Sequence, residues 1–176
     1  LERPLIPVLA EMEMAGISVD RQTLSRMSSA FAQTMAGLES EIQDLAGQSF
    51  NVGSPKQLGE VLFDTLAMPG GEKGKTGAYA TGAEVLEDLT TLEDTHPQGA
   101  RLAARVLDWR QLSKLKSTYV DGLQAAIDPR DRRVHTSFSM ANTSTGRLSS
   151  TEPNLQNIPV RTEEGQRIRQ AFVAEP

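Results

Sequence analysis

Between Arg21 and Ala46 the apolar residues Leu24, Met27, Phe31, Met35, Leu38, Ile42 and Leu45 step by three or four positions throughout. That is the α-helical period, held without interruption. At about 1.5 Å per residue the rod is roughly 40 Å long. One narrow apolar stripe on so long a helix needs a second rod to cover it. The chain supplies one over about 99–127, where Leu102, Val106, Trp109, Leu112, Tyr119, Leu123 and Ile127 keep helical spacing. The two rods are expected to pack as an antiparallel pair along their stripes. The stripe residues, the lone Trp109 included, read as core.

Shorter elements surround the pair. A first helix is expected over about 4–15, with Leu5, Leu9 and Met12 on one side and Gly16 as a left-handed C-terminal cap. Ile17 and Val19 form an extended link to Asp20, a good N-cap. Between the rods lies a helical insertion. Ser54-Pro55-Lys56-Gln57 is a capping box opening a helix through Leu66, and Thr81-Gly82-Ala83-Glu84 is a second, opening a short helix that His96-Pro97 ends. The stretch 69–77 between them reads as a flexible, basic loop. After a turn at Asp128-Pro129-Arg130-Asp131 the character changes. Residues 134–138 alternate as a strand does, Thr162-Glu163-Glu164 caps a short helix through Ile168, and Ala171-Phe172-Val173 begins an apolar strand. The fold class is therefore mainly α with a small β part, its C-terminal strands expected to lack sheet partners.

The chain has no cysteine, which excludes disulfides and thiolate metal sites. No run of about 18 apolar residues is present, so no membrane span is expected. Leu1-Glu2-Arg3-Pro4 carries no initiator Met and no signal pattern, and reads as cut from something longer. The net charge of −5 hides an asymmetry. Residues 1–100 hold 6 Lys/Arg against 15 Asp/Glu, whereas residues 101–135 hold 8 against 4. A basic segment in an acidic chain suits a polyanionic partner, and it equally suits a solvated helix face.

No cluster suggests catalysis. His96 and His135 read as structural or surface histidines without ligand partners, and the carboxylates between Glu11 and Asp94 as solvated faces. The segment 145–161, T-G-R-L-S-S-T-E-P-N-L-Q-N-I-P-V-R, is different: two arginines, two asparagines and a glutamine in a stretch held open by Pro and Gly. Such side chains donate to phosphate oxygens and to the acceptors that every base pair presents in the minor groove. On the residues alone, a polar surface loop remains the simpler reading.

This segment closely resembles the T-G-R-L-S-S-x-x-P-N-L-Q-N-I-P-x-R signature of bacterial family A (polymerase I-type) DNA polymerases, and the likeness extends along the chain. Residues 9–20 are similar to the stretch linking proofreading domain and thumb. Residues 50–58 and 75–77 resemble the thumb tip, residues 112–119 the K-L-K-S-T-Y block, and residues 167–172 the approach to the first catalytic strand. The resemblance implies a thumb over 1–133, its tip at about 50–98, and the beginning of a palm over 134–176. It implies that Arg147 reaches the minor groove at the primer terminus and that Asn154, Gln156 and Asn157 line the duplex beside it. Arg161 would lie on the nucleotide side. Arg110 and Lys114 would approach the primer-template, with Lys116 and Ser117 near phosphates and Ser54, Lys75 and Thr76 at the tip. Relatives often carry basic or hydroxyl side chains where this chain has Ala78-Tyr79-Ala80, so tip contacts are expected to be weaker here or shifted to Lys73 and Lys75.

The implied parent is a monomeric, cytoplasmic, nucleoid-associated DNA-directed DNA polymerase of replication and repair. It would bind primer-template DNA and add deoxynucleotides with Mg²⁺ in a two-metal site. In the family the first metal-binding aspartate follows in a D-Y-S-x-x-E context, and the sequence stops at Glu175-Pro176 with Glu175 out of register. No residue here is expected to be catalytic or to hold metal, and the chain alone is expected to be inactive. The alternatives are a stand-alone non-catalytic DNA-binding module and a helical protein-interaction domain.

Overall fold

Helix α2 (Arg21–Ala46) forms over the full length of its stripe in the computed structural model, which describes residues 3–174. Leu1, Glu2, Glu175 and Pro176, on which the reading of the chain's ends rests, lie outside the described residues. Asp20 starts α2 as expected: its carboxylate accepts from the backbone N–H of Gln22 at 2.9 Å and of Thr23 at 3.3 Å, and from the Thr23 hydroxyl at 2.7 Å. The Thr23 hydroxyl is the chief reason its carboxyl stays below the ordinary carboxylate value.

The chain divides into two compact units, one of residues 3–30 and 114–174, the other of Phe31–Ser113. In the second unit, α2 runs antiparallel to α5 (Pro97–Lys114). The Leu45 carbonyl accepts from Gln98, Glu41 from Arg101 and Glu39 from Trp109 Nε1, so contacts descend one helix as they climb the other. The core joins Ile42 and Ala46 to Leu102, Ala103 and Val106, with Leu58, Val61, Leu62, Leu86 and Leu89 from the insertion. Fully burying each such Leu is worth about 1.5–3 kcal/mol.

The insertion departs from its predicted caps. Ser54 does accept from Gln57 N–H at 3.4 Å, but Gln57 Oε1 accepts from Asn51 N–H, three residues before the cap, so the reciprocal half of the box is not made. Helix α3 (Pro55–Gly59) then passes into a π-helical turn, Glu60–Thr65. Helix α4 (Ala83–Thr90) is capped by Gly82 without a side-chain bond, and the expected cap Thr81 is buried one residue earlier. The predicted open loop is a hydrogen-bonded hairpin: Gly74 N–H donates to Ala78 and Ala80 N–H to Glu72.

In the first unit the second rod continues from α5 through a π-helical segment, Leu115–Asp121, into α6 (Gly122–Ala126). Gly122 N–H bonds back five residues to the Ser117 carbonyl. The wider turn shifts the buried face to Leu115, Tyr119, Val120 and Leu123, and leaves the expected Leu112 and Ile127 half-buried.

Helix α1 (Leu5–Ala15) stops at Gly16, whose φ of 62° is joined to a ψ of −172°. This is the glycine-only extended region rather than the left-handed cap the sequence suggested. A Cβ there would lie 2.7 Å from the His135 ring. β1 (Ile17–Val19) is the centre of an antiparallel sheet ordered β2-β1-β5, with β2 (Arg133–Val134) paired Ile17↔Val134 and β5 (Phe172–Val173) paired Val19↔Phe172. The C-terminal strand thus has the partner that was expected to be missing. The predicted strand over 134–138 is split, because its second half, β3 (Ser137–Ser139), pairs with β4 (Ser149–Thr151) in a separate two-stranded sheet. Helix α7 (Glu163–Gln170) is capped by Thr162 Oγ1, which accepts from Gly165 N–H at 3.1 Å. No helix of the described residues is long and apolar enough to cross a membrane.

Candidate nucleic-acid interface

The segment 145–161 lies in the first unit, and only β4 within it is regular. Its backbone is held by internal bonds. Ser150, buried, and Thr136, buried on the adjoining chain, place their hydroxyl oxygens 2.6 Å apart. Thr136 Oγ1 lies 2.8 Å from the Pro153 carbonyl, and Leu155 N–H donates to Ser150 Oγ at 3.2 Å. Beyond this turn, Gln156 Nε2 donates to the Leu148 carbonyl at 2.9 Å and Asn154 Oδ1 accepts from Gln156 N–H at 2.9 Å. Tyr119 OH donates to the Asn157 carbonyl at 2.6 Å. Ile158 is buried, and the Pro159 carbonyl lies so close to Gly165 that a Cβ there would be 2.3 Å away.

With the backbone fixed, Arg147, Asn154, Gln156, Asn157 and Arg161 are all exposed. They differ in what they have left to offer. The Gln156 amide nitrogen and the Asn154 amide oxygen already support the loop. The Arg147 carbonyl accepts from Thr143 Oγ1 at 2.6 Å, and the residue is exposed. Tyr119 joins this turn to the π-helical segment carrying Lys116 and Ser117. Lys116 Nζ is paired with Asp121 Oδ2 at 2.7 Å, and Asp121 also accepts from Ser28 Oγ at 2.7 Å. Burial pushes the Asp121 carboxyl up, yet the Lys116 and Ser28 bonds outweigh it and hold the group below its ordinary value. Ser117 Oγ donates to the Lys114 carbonyl, and Lys114 itself is exposed.

Arg110, Ser54, Lys75 and Thr76 belong to the second unit. Arg110 is half-buried and its Nη1 donates to the Thr81 carbonyl at 2.6 Å, tying α5 to the start of α4. Burial lowers its pKa without threatening its charge. Ser54 serves as the α3 cap. Lys75 and Thr76 are exposed on the hairpin, whereas Lys73 sits over the Tyr79 ring at 4.5 Å, and the Tyr79 hydroxyl bonds to Asp64.

The basic segment is less free than its count suggested. Arg101 pairs with Glu41, Arg105 with Asp108 and Arg130 with Asp128, and Arg133 donates to the Ala15 carbonyl. Two expectations about titratable groups are corrected. Glu13, Glu39 and Glu41 are not simply solvated: Glu13 Oε1 accepts from Phe138 N–H at 2.6 Å, and the other two bond Trp109 and Arg101 across the rods. His135 does have carboxylate company, because the turn brings Asp128 and Asp131 to it. Its Nδ1 lies 2.6 Å from the Glu13 carbonyl and its Nε2 2.7 Å from Asp131 Oδ2. Both partners are acceptors, so the protonated ring, with a donor on each nitrogen, is the form they favour. The Glu13 carbonyl and then Asp131 raise its pKa above the ordinary 6.5.

Sequence reasoning missed Thr136, Ser150 and the hydroxyl of Tyr119. Tyr119 was legible as core by its helical spacing, but its polar tip carried no signal. Thr136 and Ser150 sit among so many Thr and Ser residues that nothing marked these two as buried.

A family model described as DNA polymerase family A matches residues 21–176. DNA polymerase I of Rhizobium leguminosarum is 58% identical over the whole chain, which spans 17% of that protein. DNA polymerase I of Bacillus caldotenax is 51% identical over 98% of the chain, which spans 19% of it. Among solved structures, the POL domain of Pol1 from M. smegmatis in complex with DNA primer-template and dNTP superposes with a TM-score of 0.84. It is 46% identical and covers 99% of this chain, which spans 30% of that domain's chain. An irregular turn with outward arginines and amides, the T-G-R-L-S-S to I-P-V-R sequence that builds it, and these similarities agree: the chain belongs to DNA polymerase family A.

Proposed function

We propose that the chain is the part of a DNA-directed DNA polymerase that holds primer-template duplex, with a thumb over residues 1–133 and the start of a palm over 134–176. The observation that carries this is the segment 145–161, whose backbone bonds are satisfied internally while Arg147, Asn157 and Arg161 stand exposed. In this reading Arg147, Asn154, Gln156 and Asn157 check the terminal base pair from the minor groove, where acceptors recur in every pair and shape is read rather than sequence. Lys114, Lys116 and Ser117 meet phosphates in the first unit, as do Ser54, Lys75, Thr76 and Arg110 in the second. Arg161 serves the nucleotide side.

The parent reaction would be Mg²⁺-dependent addition of deoxynucleotides to a primer 3′-end. Such transfer needs carboxylates free to hold two ions. Among the described residues, the acidic and histidine side chains that converge are Asp128, Asp131 and His135. Arg130 covers Asp128 at 2.6 Å and both His135 ring nitrogens are already taken by protein oxygens, so this set does not fit a pair of metal ions. What these residues supply is binding.

Binding is tested by titrating the chain with a 3′-recessed duplex at increasing salt. Affinity that falls steeply with salt supports the reading, and salt-insensitive or absent binding rejects it. A non-catalytic DNA-binding module passes the same test, and is separated by whether the chain's reading frame continues into the D-Y-S-x-x-E strand.

A further inference from the structure

The two buried hydroxyls of the first unit have no counterpart among the DNA-facing side chains, yet they bond the backbone on either side of Asn154, where the turn that carries those side chains begins. Thr136, just before β3, is 8% exposed and Ser150, in the middle of β4, is 1% exposed. The Leu155 N–H donates to Ser150 Oγ at 3.2 Å, Ser150 Oγ lies 2.6 Å from Thr136 Oγ1, and Thr136 Oγ1 lies 2.8 Å from the Pro153 carbonyl and 3.0 Å from that of Thr151. Ser150 Oγ is itself 3.3 Å from the Pro153 carbonyl. The path starts on the amide of Leu155 and reaches the carbonyl of Pro153 through either hydroxyl, with the Thr151 carbonyl as the other acceptor open to Thr136. The residue between Pro153 and Leu155 is Asn154.

This is an unusual use of buried polar groups. A threonine and a serine this deep must satisfy their hydroxyls, and an apolar pair would avoid the problem altogether. Here the hydroxyls instead close three residues of irregular backbone that has no sheet or helix partner of its own. A turn fixed in this way presents its exposed amides without having to order them when a ligand arrives, which is the cost that a loose loop would carry.

We infer that Thr136 and Ser150 are positioning residues for the DNA-facing turn Asn154–Asn157, setting its backbone so that Asn154 and its neighbours meet the primer-terminal base pair. They touch no nucleic acid themselves. The inference rests on the duplex-holding reading above, and adds that terminal-pair discrimination depends on a hydroxyl at position 136 and one at 150.

The test uses the chain, a 3′-recessed DNA duplex with a matched primer terminus, and the same duplex with a mismatched one. Thr136→Val keeps the shape of the side chain and removes the hydroxyl; Thr136→Ser keeps the hydroxyl. The expected result is that Thr136→Val loses the preference for the matched terminus and speeds hydrogen exchange at the Leu155 amide, while Thr136→Ser retains both. The salt dependence of affinity stays the same in each, because no phosphate contact has been removed. A Thr136→Val chain that keeps its preference overturns the inference, and so does a Thr136→Ser chain that loses as much as the valine variant, since that pattern marks a purely structural role. Should Thr136→Val fail to fold, Ser150→Ala takes its place and must show the same loss. A parent chain with no preference between the duplexes overturns the inference through the reading it rests on, whereas unchanged Leu155 exchange without DNA overturns it on its own.

Discussion

Arg147 and Lys114 ask different things of the same surface. The Arg147 side chain is exposed and its backbone, not its guanidinium, bonds Thr143. Arg147→Ala is therefore expected to leave stability within about 0.5 kcal/mol of the parent. It should still weaken binding of a matched primer terminus by about 1–3 kcal/mol and blunt discrimination. Lys114→Ala should instead lower the salt slope of binding by about one, uniformly across duplexes. Lys116→Ala should lower it by less, because Asp121 already neutralises that ammonium at 2.7 Å. Equal slopes for the two lysine variants would contradict the pairing seen. The His135 imidazolium gives a pH dependence. Its folded pKa is raised above 6.5, so its stabilisation is complete below that value and is lost as the pH rises through the folded pKa. Facing it are Asp131, Asp128 with its partner Arg130, and the Glu13 carbonyl. Asp128 works at the other end of the scale: Arg130 lowers its carboxyl from 3.8 to about 2, so its contribution fades only as the pH falls through that window. Thermal unfolding followed against pH should show His135→Gln flattening the loss on the alkaline side; an unaltered slope there would remove the imidazolium from the explanation.

Elements set what these residues can reach. Gly165 lies in the first turn of α7 with the Pro159 carbonyl against it, and a backbone carbonyl cannot swing aside as a side chain can. Gly165→Ala is expected to cost about 1–3 kcal/mol by overpacking and to shift the backbone that carries Arg161. Gly99→Ala meets Sδ and Cγ of the buried Met68 instead, a side chain that can change rotamer where a carbonyl cannot, and should cost less, a contrast that paired unfolding curves would measure. Much of this architecture was legible in the sequence. The α2 stripe, Asp20, Ser54 and Thr162 act locally, through spacing or through a side chain bonding a backbone two or three residues away. What was illegible is long-range. The partner of β5 is β1, more than 150 residues earlier, and the split of 134–138 into two sheets depends on where β1 and β4 fall. The π-helical segment was hidden for a different reason: one extra residue per turn moves the buried face to Leu115 without disturbing the apolar count. Within the site the exposed donors could be named from the motif, whereas the hydroxyls and Tyr119 that hold their backbone could not.

At the scale of the molecule, the second unit is one continuous stretch, Phe31–Ser113, with its own core from Ile42 to Val106. Excised as residues 31–113 it is expected to stay helical and melt cooperatively; a featureless melt would mean that its core is not self-sufficient. The expected DNA-facing residues are shared between the units, and each unit carries exposed lysine or arginine among them. The chain is expected to add no nucleotide to a primer, since among the described residues the converging carboxylates are covered by Arg130 and His135. Extension above a no-protein control would contradict that. The central claim is that this chain grips duplex DNA through phosphates, and the most direct measurement is the affinity for a 3′-recessed duplex from low to moderate salt. The expected result is a log-log slope of about −0.9 for each phosphate neutralised, over several phosphates. A slope near zero, or no binding at the lowest salt, would contradict it.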